Sequence, residues 1–365
     1  MSDGIRKMFT PSSLLVPLVS ILLGLLVGAI AMLAGGYNPI VAYLSLFDRI
    51  FGSPYHMGEA IRAITPLLFT GIAVAFAFRT GLFNIGVEGQ FIMGMTGATI
   101  IGVTLKLPWY VHGPLAVVVG ALLGGLWAGL VGYLKARRGV NEVISSIMLN
   151  WIALYLANYI VSRYLMEPGQ QKSKPIHESA LMSIDWLVEL MDRARMHWGT
   201  VVGLICIAIF YVLLWRTKQG YELRAVGLNP DAALYAGMNV NRTILKSMFY
   251  SGVFAGLGGV FEVLGVFGNQ TIMASYWGYG FDGIAVALLG GNSPIGVLLA
   301  AMLFGGLTYG SAGMSFGAGV PSEIVRIVIG SVIFFVAAHG IVLLLVKPLM
   351  SGRARADKRR GGNAA

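Results

Sequence analysis

Five polar residues stand where this sequence otherwise runs apolar: Asn84, Glu88, Gln90, Asn150 and Asp282. Asn84, Glu88 and Gln90 fall between two apolar runs, in a Gly-rich stretch that does not read as continuous helix. A helix broken inside a bilayer is tolerated only where it lines a cavity or is buried in protein. A carboxylate at such depth costs at least ~2.5 kcal/mol, so Glu88 needs a partner or water. Two readings follow. Glu88 pairs with Arg79 and pins the break, or Asn84, Glu88 and Gln90 form part of the wall of a solute pathway. Asp282 sits at a second short, broken span, and the two stretches share a flavour: Gly-Leu-Phe-Asn-Ile-Gly against Gly-Phe-Asp-Gly-Ile-Ala. Broken spans in two halves of a chain are the best sequence pointer to a transporter's site. Asn150 and Asn158 lie eight apart on one helical face, placed either to join helices or to meet a substrate.

Other chemistries are poorly supplied. Gly313-Met-Ser-Phe-Gly317 has the spacing of a serine nucleophile elbow, but it lies in a Gly-rich loop between apolar runs rather than at a strand-to-helix turn. His177-Glu178 has no second histidine at zinc-ligand spacing. The sequence contains no Gly-Lys pair, hence no phosphate-cradling loop of the Gly-x-x-x-x-Gly-Lys-Ser/Thr kind. No cofactor is expected.

The elements that must carry these residues are set by composition. Of 365 residues, 56% are hydrophobic and 12% charged, against roughly 25% charged in soluble domains. Apolar runs of about 17–25 residues mark membrane spans. Ten are read at 14–34, 63–78, 86–105, 113–134, 143–162, 200–215, 244–267, 277–291, 295–309 and 322–346. The first is too long for a signal peptide and is read as a retained span. The expected fold is an all-α polytopic membrane bundle with both termini cytoplasmic: that orientation gives inside segments about twice the Lys and Arg of outside ones, and places the tail Arg353, Arg355, Lys358, Arg359 and Arg360 inside. The net charge of +10 therefore reads as topology rather than nucleic-acid binding. Residues 1–349 form a single transmembrane domain, with an external loop at about 164–198 and an inside loop at about 217–243. Residues 350–365 are expected to be a disordered basic cytoplasmic tail. Gly24/Gly28, Gly120/Gly124, Gly125/Gly129 and Gly252/Gly256 have the spacing of close helix crossings.

The inside loop reads Gly220-Tyr-Glu-Leu-Arg-Ala-Val-Gly-Leu-Asn-Pro-Asp-Ala-Ala-Leu-Tyr-Ala-Gly237. Asn229 suits the N-cap, Pro230 the first helical position, Asp231 the positive dipole end and Gly237 a left-handed stop. A two-turn helix over 230–236 follows, too short to stand alone. It packs on its own bundle or docks a partner, with Ala232, Ala233 and Ala236 allowing close approach.

This run resembles the coupling-helix loop of permeases in the ribose, nucleoside and branched-chain amino-acid group of ATP-binding-cassette importers. Phe78-Arg-Thr-Gly-Leu-Phe-Asn-Ile-Gly-Val-Glu-Gly-Gln90 is similar to the signature of the nucleoside branch, the bacterial guanosine-type permeases. Gly280-Phe-Asp-Gly-Ile-Ala-Val-Ala-Leu-Leu-Gly-Gly-Asn292 resembles the late Gly-rich motif of the same group. The resemblance implies a multi-pass permease of the bacterial plasma membrane, without a nucleotide site of its own. Its implied partners are a second, related permease (a heterodimer), cytoplasmic ATPases, an external substrate-binding lipoprotein, membrane lipid and a small-molecule substrate. Tyr221, Glu222, Arg224, Gly227, Asn229, Pro230, Ala232, Ala233, Ala236 and Gly237 would carry the coupling to the ATPases. Nucleosides are the implied substrates, with a simple sugar such as ribose the alternative. A rival of another class is a secondary transporter driven by Na⁺ or H⁺ through Glu88, Asp282 and His339.

Overall fold

A computed structural model describes residues 11–338. The helices are α1 (Pro11–Ala34), α2 (Pro39–Phe51), α3 (Pro54–Arg79), α4 (Val87–Thr104), α5 (Trp109–Arg138), α6 (Glu142–Ile160), α7 (Asp185–Leu190), α8 (Trp198–Arg216), α9 (Lys218–Leu228), α10 (Pro230–Tyr235), α11 (Val240–Glu262), α12 (Tyr279–Leu289), α13 (Pro294–Ala318) and α14 (Ser322–Ala337). Wider π turns extend α6 to Leu165 and α11 to Phe267. Among the described residues β-structure is confined to isolated bridges, most of them in the 164–198 loop.

Among the described residues, six helices are long and apolar enough to cross a membrane: Pro54–Arg79, Trp109–Arg138, Glu142–Leu165, Trp198–Arg216, Val240–Phe267 and Pro294–Ala318. Of the remaining expected spans, 14–34 lies in the 24-residue apolar helix α1 and 86–105 covers the 18-residue α4. The run 277–291 contributes an 11-residue helix, about 16 Å long at 1.5 Å per residue, or half a hydrocarbon core. Helix α2 was absent from the sequence reading because its 13 residues are too few to register as a span. Arg6, Lys7, His339, the end of the 322–346 run and the 350–365 tail lie outside the described residues.

The described helices fall into two compact units. One comprises the chain up to Arg49 and the chain from Gly310. Within it Gly24 and Gly28 lie against Val332 and Val328 of α14, and the Tyr43 hydroxyl donates to the Leu25 carbonyl at 2.5 Å.

The other unit, Ile50–Tyr309, holds the expected site residues. Its centre is built on α3, α4, α5 and α11, the last three of which pack backbone to backbone. Gly120 and Gly124 of α5 face Gly94 of α4 and Gly252 and Gly256 of α11. A methyl group at any of them would meet a neighbouring main chain, which is why these stretches read as Gly-x-x-x-Gly. Gly129, counted as part of such a pair, faces open space instead. Local signals set the helix ends. Ser53 caps α3, accepting from His56 N at 3.1 Å, and Asn141 caps α6, accepting from Val143 N at 2.8 Å. Helix α5 ends in Lys135, Arg137 and Arg138, cations suited to a C-terminal dipole.

Candidate functional site

The break after α3 is built by side chains that replace missing helical hydrogen bonds. Gly81 adopts φ 76, which turns the chain out of the helix, and the chain stays non-helical until α4 begins at Val87. Asn84 is the hub. Its amide donates to Gln90 Oε1 at 2.9 Å and Ser251 Oγ at 2.8 Å. Its Oδ1 accepts from Gly86 N and Gln90 Nε2, both at 2.9 Å. Ser251 in turn donates to the Ala73 carbonyl at 2.7 Å, tying α11 to α3. Asn150 of α6 reads the same break from the other side, donating to the Ile85 carbonyl at 3.0 Å and accepting from Gly89 N at 2.9 Å. Asn158, on the same face, instead holds the main chain of Met273 through both amide atoms. Asn84, Glu88, Gln90 and Asn150 are all buried, while Asp282 is exposed on the first turn of α12.

Glu88 does not pair with Arg79. Its carboxylate accepts from Gly278 N at 2.9 Å and Gly280 N at 2.5 Å, across the start of α12. These are backbone donors that a helix N-terminus leaves unpaired, and a negative charge suits that dipole end. Arg79 holds the opposite end, donating through Nε to the Asn292 carbonyl at 2.7 Å and through Nη2 to the Gly291 carbonyl at 2.9 Å. Two residues flanking one break thus clamp both ends of a half-length helix, each with the charge that end attracts. Gly280 and Gly283 are required there, because any Cβ would collide with Glu88 and Thr70.

The 217–243 segment forms two short helices. Thr217 caps α9, accepting from Gly220 N at 3.0 Å. Asn229 caps α10, accepting from Ala232 N at 3.0 Å, with Pro230 in its first turn. The helix expected over 230–236 ends one residue earlier, with Ala236 as C-cap and Gly237 left-handed at φ 80. Ala233 is buried, whereas Ala232, Ala236 and Gly237 are exposed. Gly227 packs on Gly81, so α9 crosses the chain at the α3 break. Arg224 and Arg79 lie over the same Trp215 ring, 5.9 and 5.8 Å from its centroid. Tyr221 and Glu222 line a cleft of about 430 Å³ with Lys218, Arg242 and Lys246.

Sequence reasoning missed two sets of residues here. Leu228, Leu234 and Tyr235 stand out from α9 and α10, with Tyr235 94% exposed. Apolar side chains in a polar loop were the available signal. The second set is an ion cluster at the start of α3. Glu59 is buried and accepts from Arg195 N and Nε at 3.0 Å, from Arg195 Nη2 at 2.7 Å and from Arg62 Nε at 2.8 Å. Arg62 also approaches Glu262 at 3.7 Å, and Glu262 accepts from the Tyr279 hydroxyl at 3.4 Å. Hydrogen bonding to Glu59 raises the Arg195 pKa, and burial beside Arg62 lowers that of His197 to about 4, which keeps its imidazole neutral. Only the three-residue spacing of Glu59 and Arg62 hinted at this cluster.

A family model described as branched-chain amino acid transport system / permease component matches residues 57–337. The chain is 48% identical over 352 residues to the guanosine ABC transporter permease protein NupP of Bacillus subtilis, covering 96% of this chain and 99% of that one. It is 38% identical over 357 residues to the nucleoside ABC transporter permease protein NupB of Lactococcus lactis, covering 96% of this chain and 98% of that one. It is also 25% identical over 248 residues to NupQ, a second guanosine ABC transporter permease protein of Bacillus subtilis, covering 66% of this chain and 76% of that one.

Proposed function

Because the chain belongs to the branched-chain amino acid transport system permease family, we propose that it forms the membrane pathway of an ATP-binding-cassette importer for nucleosides. Its place is the bacterial plasma membrane. The nucleoside assignment rests on relatives that bear that name across nearly their full length; the sugar alternative has less support. The chain holds no ATPase site, and hydrolysis belongs to separate cytoplasmic subunits. An external binding lipoprotein delivers substrate. A second, related permease completes the pathway, a reading supported by the similarity to both NupP and NupQ. Residues 1–349 act as the permease domain, with ten full or partial spans and both termini cytoplasmic, as the Lys and Arg distribution favours.

The observation that carries the mechanism is the connection from α10 to α12. Leu234 and Tyr235 offer an apolar knob for an ATPase groove. Displacement of α10 passes through α9 to the break by the Gly227–Gly81 contact and the Arg224–Trp215–Arg79 stack. Arg79 then pulls on the C-terminal end of α12, whose N-terminal end is held by Glu88. Asn84, Gln90 and Asn150 keep the break rigid behind the pathway wall, and exposed Asp282 faces the passage. Tyr221, Glu222, Arg224, Gly227, Asn229, Pro230, Ala232, Ala233, Ala236 and Gly237 shape the coupling surface.

Uptake of labelled guanosine and of labelled ribose, in cells lacking and then regaining this gene, tests the assignment. Restoration of guanosine uptake alone is expected. Uptake that survives loss of the ATPase but collapses with the proton or sodium gradient would instead make the chain a secondary transporter. Tyr235→Ala tests the docking knob. Buried interface tyrosines contribute about 2 kcal/mol or more, so ATPase subunits should co-purify roughly thirtyfold more weakly while the permease inserts normally.

A further inference from the structure

Four aromatic rings gather beside α12 without an assigned role. Trp151 and Tyr155 of α6 stack at 6.1 Å and 22°. Tyr276 lies 4.8 Å from Trp151 and 6.0 Å from Phe281. Trp151, Tyr155 and Phe281 are exposed, Tyr155 by 65%. The Tyr276 hydroxyl is buried and has no hydrogen-bond partner among the described residues. Asp282 follows Phe281 directly and is exposed on the same helical turn.

This combination does not suit lipid. A carboxylate facing hydrocarbon is costly, and a half-length helix is tolerated only beside protein or a water-filled passage. It suits a protein partner poorly as well, since close packing would desolvate the Asp282 carboxylate and leave the Tyr276 hydroxyl unmatched. A flat, neutral ligand carrying both N–H donors and ring acceptors meets every requirement. Its faces stack on the rings, its donors reach the carboxylate and an acceptor takes the tyrosine hydroxyl. Purine bases with an imino and an amino donor on one edge have that pattern.

We propose that Trp151, Tyr155, Tyr276 and Phe281 form a stacking station for the base of a purine nucleoside in transit, with Asp282 accepting hydrogen bonds from the donor edge. The proposal rests on the nucleoside reading above and deepens it by assigning the residues that recognise the base. Stacking is tolerant of exact ring position, which suits a site that must bind and release in each cycle.

The test uses the full transporter, with its ATPases and binding protein, in proteoliposomes. Trp151→Leu and Phe281→Leu should each lower guanosine uptake about fivefold or more, while Trp151→Phe retains most of it. With the unmodified protein, photolabelling by 8-azidoguanosine should place the label on peptides containing Trp151 or Tyr276, which keeps the proposal testable if a leucine variant fails to insert. Wild-type guanosine uptake by both leucine variants, or label confined elsewhere, overturns the station alone. Leucine variants that lose the second permease on purification also overturn it, because the rings then serve a subunit interface. Wild-type protein that imports ribose and not guanosine overturns this proposal together with the reading beneath it.

Discussion

Glu88→Ala is expected to abolish guanosine uptake while the permease still inserts and still co-purifies with its ATPases. The carboxylate receives two backbone N–H groups at the start of α12, at 2.9 and 2.5 Å. Hydrogen bonds to a charged group contribute about 1.5–3 kcal/mol each. Alanine removes both and leaves two donors unpaired, that of Gly280 buried, so the seated position of α12 should become rarer by more than about a hundredfold. Glu88→Gln keeps an acceptor without the charge and should fall between the two. Uptake in proteoliposomes, beside co-purification of the ATPases, measures this. Wild-type uptake by the alanine variant would show that Glu88 does not hold the helix in a working position.

The second large effect is on folding. Glu59→Ala should strongly lower the melting temperature of the purified permease and its yield in the membrane. Glu59 accepts four hydrogen bonds from Arg195 and Arg62, and it is itself buried. Hydrogen bonds to a charged group contribute about 1.5–3 kcal/mol each, and Arg195, whose side chain is 46% exposed, recovers part of that from water while Arg62 does so less readily. The loss should be local to the junction of α3 with the 164–198 loop, so proteolysis should cut that loop first. Glu59→Gln retains acceptors for Arg195 and should lose less. Equal melting temperatures for wild type and the alanine variant would mean that Arg195 and Arg62 find water or other partners instead.

Much of the coupling segment could be read from local chemistry. Asn229, Pro230, Asp231 and Gly237 announce α10 within one residue of its observed end, because caps act over a single turn. The break at 79–90 was equally visible in its glycines, and the family in three collinear motifs. What the sequence hid is long-range pairing. Glu88 finds its donors 190 and 192 positions away, and Arg79 its acceptors 212 and 213 away. No local pattern encodes such partners, so the nearby Arg79 looked like the natural mate for Glu88. The same limit hid the Glu59 cluster, which needs Arg195 from a distant loop. Gly227 shows the opposite trap: its motif position suggests a coupling role, yet its contact with Gly81 means that a bulky residue there would disturb the α3 break directly. Tyr235, exposed and clear of such contacts, is the cleaner probe of docking.

The central claim is that motion at α10 reaches α12 through Arg79. The most direct measurement is the number of guanosine molecules imported per ATP hydrolysed, in proteoliposomes containing the Arg79→Ala permease with its partners. Arg79 makes two charge-assisted bonds to the end of α12, so their loss should lower that ratio about tenfold or more, while the complex assembles and hydrolyses ATP near the wild-type rate. An unchanged ratio would contradict the account.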